Sequence, residues 1–273
     1  MSTIVHFMPG SEVPAMGLAA ALGIEGLPVS VGRFPDGESL VRVGGSGGTA
    51  LLFCPLDHPD TRLVQVLLAA SALRDSGAGQ VILVAPYLAY MRQDMAFSPG
   101  EAVSQRVIGG LIAGNFDGLV TVDPHLHRTA RLEDVVPGIA ALAVSAAASI
   151  AQAIAPNVTP DTILVGPDAE SRQWVEAVAA PLGLETMIGE KRRLGDRQVH
   201  IVLPDAARAA GRPVMLVDDL ISSGGTLREC ARQLASAGAI LRGAVATHCL
   251  ADAADLAILA REGIEQVVAT DTV

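Results

Sequence analysis

The residues best placed to do chemistry lie in one stretch, Pro213-Val-Met-Leu-Val-Asp-Asp-Leu-Ile-Ser-Ser-Gly-Gly-Thr226. Two adjacent carboxylates, Asp218 and Asp219, close an apolar run of strand length, Val214 to Val217. A loop of small residues from Ile221 to Thr226 then leads into a helical pattern that starts near Leu227. Such a loop leaves the backbone N–H groups of Ser223, Gly224, Gly225 and Thr226 open at the positive end of a helix dipole. The hydroxyls of Ser222, Ser223 and Thr226 stand beside them. That cradle suits a phosphate monoester. The carboxylates repel phosphate but accept hydrogen bonds from vicinal hydroxyls, so the stretch as a whole reads as a grip for ribose 5-phosphate. Taken alone, a Gly-Gly-Thr turn is equally an ordinary strand-to-helix turn with a Ser cap.

The second chemical signal is a single residue. Of the 19 Lys plus Arg, eighteen are Arg and one is Lys191, inside Glu190-Lys-Arg-Arg-Leu-Gly-Asp-Arg197, the only dense basic cluster of an acidic chain. Compositional bias and a solvated loop would account for it. A compact ammonium on a flexible stem, however, follows a moving phosphoryl group as a point charge, where a planar guanidinium needs fixed bidentate geometry. The cluster ends the strand predicted near Thr186 to Gly189, and a polar loop is expected before Val199 to Leu203. Lys191 and Arg193 are the candidates for charge neutralisation in phosphoryl transfer. No side chain stands out as a general base.

Other candidates lie at strand ends and at one turn. Arg92 and Gln93 follow the apolar run Val81 to Ala85, the end of a parallel strand where open α/β sheets bind ligands. The competing reading there is a loop with an Arg–Asp surface pair. His125 follows the run Leu119 to Val122, a place where a histidine is more often structural than a ligand. Asp168 follows a strand that begins at Thr162. Phe34, Asp36, Gly37 and Glu38 surround Pro35-Asp36-Gly37, the turn of a β-hairpin between Val29 and Val43. By themselves these are turn residues and an exposed ring.

The elements that must position these groups alternate between strand and helix. Strands are expected over Ile4–Phe7, Ala50–Cys54, Val81–Ala85 and Leu119–Val122, with helices over Val13–Leu22, Leu63–Leu73 and Ala102–Ala113, which makes β-α-β units and a parallel sheet. A boundary near Leu142 divides residues 1–142 from 143–273, and one helix is expected over Ala141–Ile154. Beyond the loop at Ser222 come a helix over Leu227–Ala237, a strand over Ala244–Thr247, a helix over Ala253–Ala260 and a last strand over Gln266–Ala269. The strand from Val81 with its Arg-Gln matches the strand from Thr162 with its own, and Val120-Thr-Val-Asp matches Met215-Leu-Val-Asp. This implies an internal duplication with the ligand held between two doubly wound halves.

In collinear order the motifs resemble those of the ribose-phosphate diphosphokinases, or phosphoribosyl pyrophosphate synthetases, of the type I phosphoribosyltransferase fold. The matching stretches are Phe34-Pro-Asp-Gly-Glu38, Tyr87-x-x-Tyr-x-Arg-Gln-Asp94, Val122-Asp-x-His125, Lys191-Arg-Arg193 and Asp218 to Thr226. The resemblance implies an α/β fold of two tandem doubly wound parallel-sheet domains. Residues 1–142 would take the ATP side and 143–273 the ribose-phosphate side. It implies transfer of the diphosphoryl group of MgATP to the 1-hydroxyl of ribose 5-phosphate. Phe34, Asp36, Gly37 and Glu38 would contact a neighbour's ATP, which implies a homo-oligomer, and Arg92 with Gln93 would hold the nucleotide. His125 and Asp168 would hold Mg2+, Lys191 and Arg193 would be catalytic, and Asp218, Asp219, Ser222, Ser223, Gly224, Gly225 and Thr226 would bind ribose 5-phosphate.

Three departures accompany the likeness. Pro124 stands where the family has Leu, Ser222-Ser223 replaces Asp-Thr, and family chains continue past the equivalent of Asp271-Thr272. The last of these puts the usual hexamer and its allosteric anion site in doubt. Two rivals remain at this stage, a phosphoribosyltransferase that consumes the diphosphate and a non-catalytic regulatory paralogue. Lys191 and His125, whose loss would have favoured the paralogue, are both present. His127 reads as a surface residue.

Composition narrows the partners. A formal charge of −10 opposes nucleic acid or an anionic membrane as partner, since both need clustered surplus cations. Half of the 273 residues are hydrophobic but only 3% are aromatic, so any core is built from Ala, Val, Leu and Ile, at a length that suits two domains. Cys54, Cys230 and Cys249 are too few for a disulfide frame or metal cluster, and no signal peptide is expected, which suits the cytoplasm.

Overall fold

Most strands of this chain are short runs such as Gln80-Val-Ile-Leu-Val84 and Ile163-Leu-Val-Gly166, nearly continuous in apolar residues, the pattern of strands buried on both faces of a parallel sheet. The computed structural model describes residues 2–45, 48–126, 128–193 and 199–273, with residues 192, 193, 199 and 200 described by backbone alone. It divides between Val144 and Ser145 into two compact units. His127 lies outside the described residues.

The first unit runs β1 (Thr3–Phe7), α1 (Glu12–Leu22), β2 (Glu25–Pro28), β3 (Ser30–Arg33), β4 (Ser39–Arg42), β5 (Thr49–Phe53), α2 (Pro59–Asp75), β6 (Gln80–Val84), α3 (Ser104–Ala113), β7 (Gly118–Val122), α4 (Leu132–Val135) and β8 (Ala140–Val144). Its parallel sheet has the order β2-β1-β5-β6-β7-β8, and β3 with β4 forms a separate antiparallel ribbon. Val5, Phe7, Ala15 and Ala19 make one core layer between β1 and α1. Leu52, Val66, Leu73, Leu83, Ile112 and Leu119 belong to the larger layer, against which Val31 and Val41 of the ribbon pack.

The second unit runs α5 (Ala147–Ile154), β9 (Ile163–Gly166), α6 (Arg172–Ala179), β10 (Glu185–Ile188), β11 (Glu190–Arg193), β12 (Val199–Val202), β13 (Pro213–Ile221), α7 (Gly225–Ser236), β14 (Ile240–Cys249), α8 (Ala253–Arg261) and β15 (Val267–Ala269). Its sheet order is β10-β9-β13-β14-β15, again parallel, with β11 and β12 as a separate ribbon. Ile163, Val165, Leu216, Leu227, Cys230 and Leu234 form its core.

The two sheets repeat one topology, and it shifts the alignment expected from sequence. In each unit the first strand lies inside, the second beside it at one edge, an antiparallel ribbon follows, and the chain then adds strands on the other side. So β1 corresponds to β9, β5 to β13, β6 to β14 and β7 to β15. The strand from Val81 therefore corresponds to β14 and not to the strand from Thr162, and the ribbon bearing Phe34 corresponds to the ribbon bearing Lys191.

Three local expectations need correction. The helix expected over Ala141–Ile154 is a strand, β8, followed by α5. Ala140–Val144 pairs with β7 from Gly118↔Ala140 to Val122↔Val144, so sheet pairing overrides the helical preference of an Ala-rich run. The Ser145 hydroxyl then accepts from the Ala147 N–H at 3.2 Å where α5 begins. Secondly, Asp218 and Asp219 do not close β13, which continues to Ile221 because β14 runs beside it as far as Cys249. Thirdly, Lys191 is not in a loop. It sits on β11, paired with Ile201 of β12, and residues 194–198 beyond it lie outside the described residues.

His6 on β1 is fully buried, and neither ring nitrogen has a hydrogen-bond partner among the described residues. Burial lowers its pKa below the ordinary imidazole value. The folded state therefore holds the neutral ring, and its stability falls as pH drops below about 6.5 toward the lowered value, because the unfolded chain takes up the proton first. His6→Leu should stabilise the protein by about 1–2 kcal/mol at neutral pH, roughly 2–4 °C in melting temperature by calorimetry, with a wider gap at pH 5.5. An unchanged or lowered melting temperature would show that the imidazole is satisfied.

Candidate active site

The chemistry-bearing residues of the second unit gather at the carboxyl ends of β9 and β13. After β9 the chain turns tightly through Pro167–Ser171. Asp168 Oδ1 accepts from the N–H groups of Glu170 (2.9 Å) and Ser171 (3.2 Å), and the Ser171 hydroxyl donates to the Asp168 carbonyl at 2.7 Å. One carboxylate oxygen is thus tied to the start of α6, which aims the other outward. Asp168 Oδ2 meets Lys191 Nζ at 2.7 Å, and Glu170 Oε2 lies 3.4 Å from the same ammonium.

Close backbone packing brings Lys191 there. Gly189 donates its N–H to the Gly166 carbonyl at 2.8 Å, and an added Cβ on Gly189 would lie 2.3 Å from the Pro167 carbonyl oxygen. Only glycine lets the chain cross the Asp168 turn at that distance. Burial pulls the Lys191 pKa down, but the hydrogen bond and charge of Asp168, with those of Glu170, outweigh it, and the net shift is upward. The ammonium stays charged.

Beside this pair β13 presents Asp218 and Asp219. The Asp219 N–H donates to Asp218 Oδ1 at 3.0 Å. Burial, then the charge of and hydrogen bond to Asp219, then the charge of Asp168, push the Asp218 carboxyl well above the ordinary carboxylate range. Under them the Cys230 thiol is pushed up to about 12, first by burial and then by Asp218, Asp168 and Glu229, so it stays neutral and inert.

The loop Ser222–Gly224 leads directly into α7. Gly224 has φ +69, a left-handed conformation, and an added Cβ would lie 2.6 Å from the Leu259 side chain on α8, so a larger residue is excluded on both counts. The first N–H groups of α7, from Gly225 and Thr226 onward, have no partner within the helix and lie at its positive end. The predicted residues Asp168, Lys191, Asp218, Asp219 and Ser222 to Thr226 therefore share one end of one sheet. Arg193 lies on β11, and its side chain is outside the described residues.

The remaining candidates belong to the first unit. Phe34, Asp36, Gly37 and Glu38 form the tip of the β3–β4 ribbon, closed by Phe34 N–H to Glu38 O (2.9 Å) and Gly37 N–H to Phe34 O (2.9 Å), with the ring 48% exposed. Arg92, exposed, and Gln93 follow β6, and Gln93 Nε2 lies 3.4 Å from Glu101 Oε2. Asp94 holds Arg128 through its N–H (3.0 Å) and guanidinium (2.8 Å), which ties this segment to the one after β7 that contains His125. Asp123, two residues before His125, is buried with a positive φ of 35, so that turn is strained.

Sequence reasoning missed Glu170 and Gly189. The signals were an acidic residue two positions after Asp168 and a glycine two before Lys191, neither of which means anything until β10 crosses the turn. Among the described residues no group of three or more His, Cys, Asp or Glu is arranged to hold a metal ion by itself, and no helix is long and apolar enough to cross a membrane.

Comparison with known proteins places the chain in a family. A family model for the N-terminal domain of ribose phosphate pyrophosphokinase matches residues 9–114, and one for the phosphoribosyl transferase domain matches residues 126–268. The chain is 39% identical over 259 residues to a ribose-phosphate pyrophosphokinase of Methanopyrus kandleri, covering 94% of this chain and 87% of the relative. It is 36% identical over 227 residues to that of Thermococcus kodakarensis, covering 83% and 79%. The crystal structure of phosphoribosylpyrophosphate synthetase from Mycobacterium smegmatis shares the fold, with a TM-score of 0.81 at 23% identity over 100% of this chain and 90% of that one. With both family models matched in order along the chain and curated relatives aligned over most of it, the chain belongs to the ribose-phosphate pyrophosphokinase family.

Proposed function

We propose that this chain moves the diphosphoryl group of MgATP to the 1-hydroxyl of ribose 5-phosphate. The bond from O1 to the β-phosphorus forms as the hydroxyl proton passes to water, the bond from that phosphorus to the α,β-bridging oxygen breaks, and AMP leaves with phosphoribosyl diphosphate as the other product. The observation that carries the reading is the Lys191 ammonium held 2.7 Å from Asp168 beside the Asp218–Thr226 loop. A point charge at a sugar-phosphate cradle is what charge transfer onto a moving phosphoryl group requires.

In this reading Asp218 and Asp219 accept from the ribose hydroxyls. The first turn of α7 and the hydroxyls of Ser222, Ser223 and Thr226 receive the 5-phosphate. Lys191 exchanges Asp168 and Glu170 for phosphoryl oxygens as the transfer proceeds, and Arg193 adds a second cation. Arg92 and Gln93 hold the nucleotide. Phe34, Asp36, Gly37 and Glu38 reach a neighbouring copy's ATP, which the exposure of the Phe34 ring supports, so the enzyme works as a homo-oligomer.

The donor chemistry suits Mg2+. Asp168 offers a carboxylate oxygen among crowded negative charges, the setting a hard cation favours, and a cation that arrives on phosphates needs only one or two protein ligands. Asp168 would be the ligand that the second unit offers, and His125 is the candidate that the first unit offers. A bound Mg2+ would supply neutralisation of the charge that develops on the phosphates. Three free thiols support a cytoplasmic setting.

Purified protein given MgATP and ribose 5-phosphate should form AMP, and Lys191→Ala should lower kcat by about 10³ with little change in KM. No AMP from the unaltered protein would reject the transfer reaction, and an unchanged kcat in the variant would reject the role of the ammonium. A second substitution separates binding from stability. Because the folded Asp218 carboxyl has a raised pKa, its contribution to stability is full below the ordinary carboxylate range and is lost as pH rises through the raised value. Asp218→Asn should therefore melt higher at pH 7.5, by roughly 2–4 °C, with the gain vanishing near pH 4, while ribose 5-phosphate loses its thermal shift. A lower melting temperature at pH 7.5 would sink the electrostatic account.

A further inference from the structure

The β11–β12 ribbon carries Lys191 but is hydrogen-bonded to neither parallel sheet. A lone two-stranded ribbon is marginal in water, so something must seat it. That support is α7, the helix whose first turn forms the phosphate cradle. Ile201 and Leu203 are buried in one core with Leu227, Cys230, Ala231 and Leu234 of α7. Between them Gln233 makes directed bonds. Its Nε2 donates to the Ile201 carbonyl at 2.5 Å and to Glu229 Oε1 at 3.1 Å, and its Oε1 accepts from the Leu203 N–H at 3.0 Å.

One side-chain amide thus takes the Ile201 carbonyl on β12 and the N–H of Leu203 just past its end, residues two apart, as a neighbouring strand would. The ribbon's register sets Ile201 directly opposite Lys191, so both side chains leave the same face and the seat of Ile201 determines where the lysine stem starts. The first unit has only a looser counterpart, a side-chain contact with no backbone bond among the described residues. Gln65 of α2, the helix corresponding to α7, reaches Ser39 of β4 at 3.5 Å.

We propose that Gln233 is a positioning residue for the transfer reaction, fastening β12 to α7 so that Lys191 stays in register with the phosphate cradle. It touches no substrate in this scheme, and the inference rests on the role given above to Lys191. The bland alternative is an ordinary stabilising bond between a helix and a ribbon. It differs in one respect, because a bond that only stabilises would cost melting temperature without acting through the lysine.

Gln233→Met keeps length, helix preference and apolar packing while removing every directed bond. It should lower kcat on the order of tenfold, since misplacement of a reacting group by a fraction of an ångström carries costs of that size, and leave the KM for ribose 5-phosphate within about twofold. In the Lys191→Ala background the same substitution should change kcat no further. Gln233→Lys, which keeps a donor for the Ile201 carbonyl, should recover part of the loss. Hydrogen exchange of the intact protein should show the Leu203 amide losing protection in Gln233→Met.

If Lys191→Ala itself leaves kcat intact, the catalytic reading has failed. If that variant is impaired but Gln233→Met is not, or if Gln233→Met costs the same factor with and without the lysine, the positioning role alone is overturned. Unchanged Leu203 protection would overturn it too.

Discussion

Negative charge crowded at the ends of two adjacent parallel strands is the constraint around which the second unit is built. Asp168, just past β9, and Asp218 and Asp219, late in β13 where it pairs with β14, crowd together, and burial with mutual repulsion raises the Asp218 pKa. A fold keeps such a cluster only if it supplies compensation or if a ligand does. Here the fold supplies the Lys191 ammonium, which stands on Asp168 and Glu170. The crowding costs stability.

The duplication of architecture shows how one half came to hold that site and the other did not. The corner of the first unit that corresponds to the phosphate cradle lies between β1 and β5, at the start of α2. There Pro59 occupies the first helical turn and removes an N–H donor, where α7 has Gly225 and Thr226. Arg62 fills the space, donating to the Pro9 carbonyl at 2.9 Å and lying 3.6 Å from Asp57. The first unit instead presents its candidates on the ribbon tip at Phe34 and after β6 at Arg92 and Gln93.

The ribbons are the less expected part of the design. Each leaves the sheet after the second strand and packs on the helix that follows the third, through Val31 and Val41 in one unit and Ile201 and Leu203 in the other. One bears an exposed ring and the other the single lysine. A ribbon anchored at its base can carry a side chain over a site without belonging to the rigid sheet, which suits groups that must meet a substrate already in place.

Much was legible before any coordinates. Apolar runs marked nearly every buried strand of the two sheets, and the small-residue loop from Ser222 marked a helix start that only glycine at 224 allows. These are local properties, set by sterics and by the need to bury apolar surface, so a linear reading reaches them. It failed at Ala140–Val144, where the partner strand β7 outweighed an Ala-rich helical preference. It also failed at Lys191, whose strand exists because Gly189 passes the Asp168 turn and α7 supports β12. The duplication was legible as a repeat but misaligned, since similar short strands look alike in sequence and only pairing order tells them apart. Residue types determined which chemistry was available. Contacts between residues far apart in the chain decided that Asp168, Glu170 and Lys191 would meet, because the energy of that meeting belongs to no single stretch of sequence.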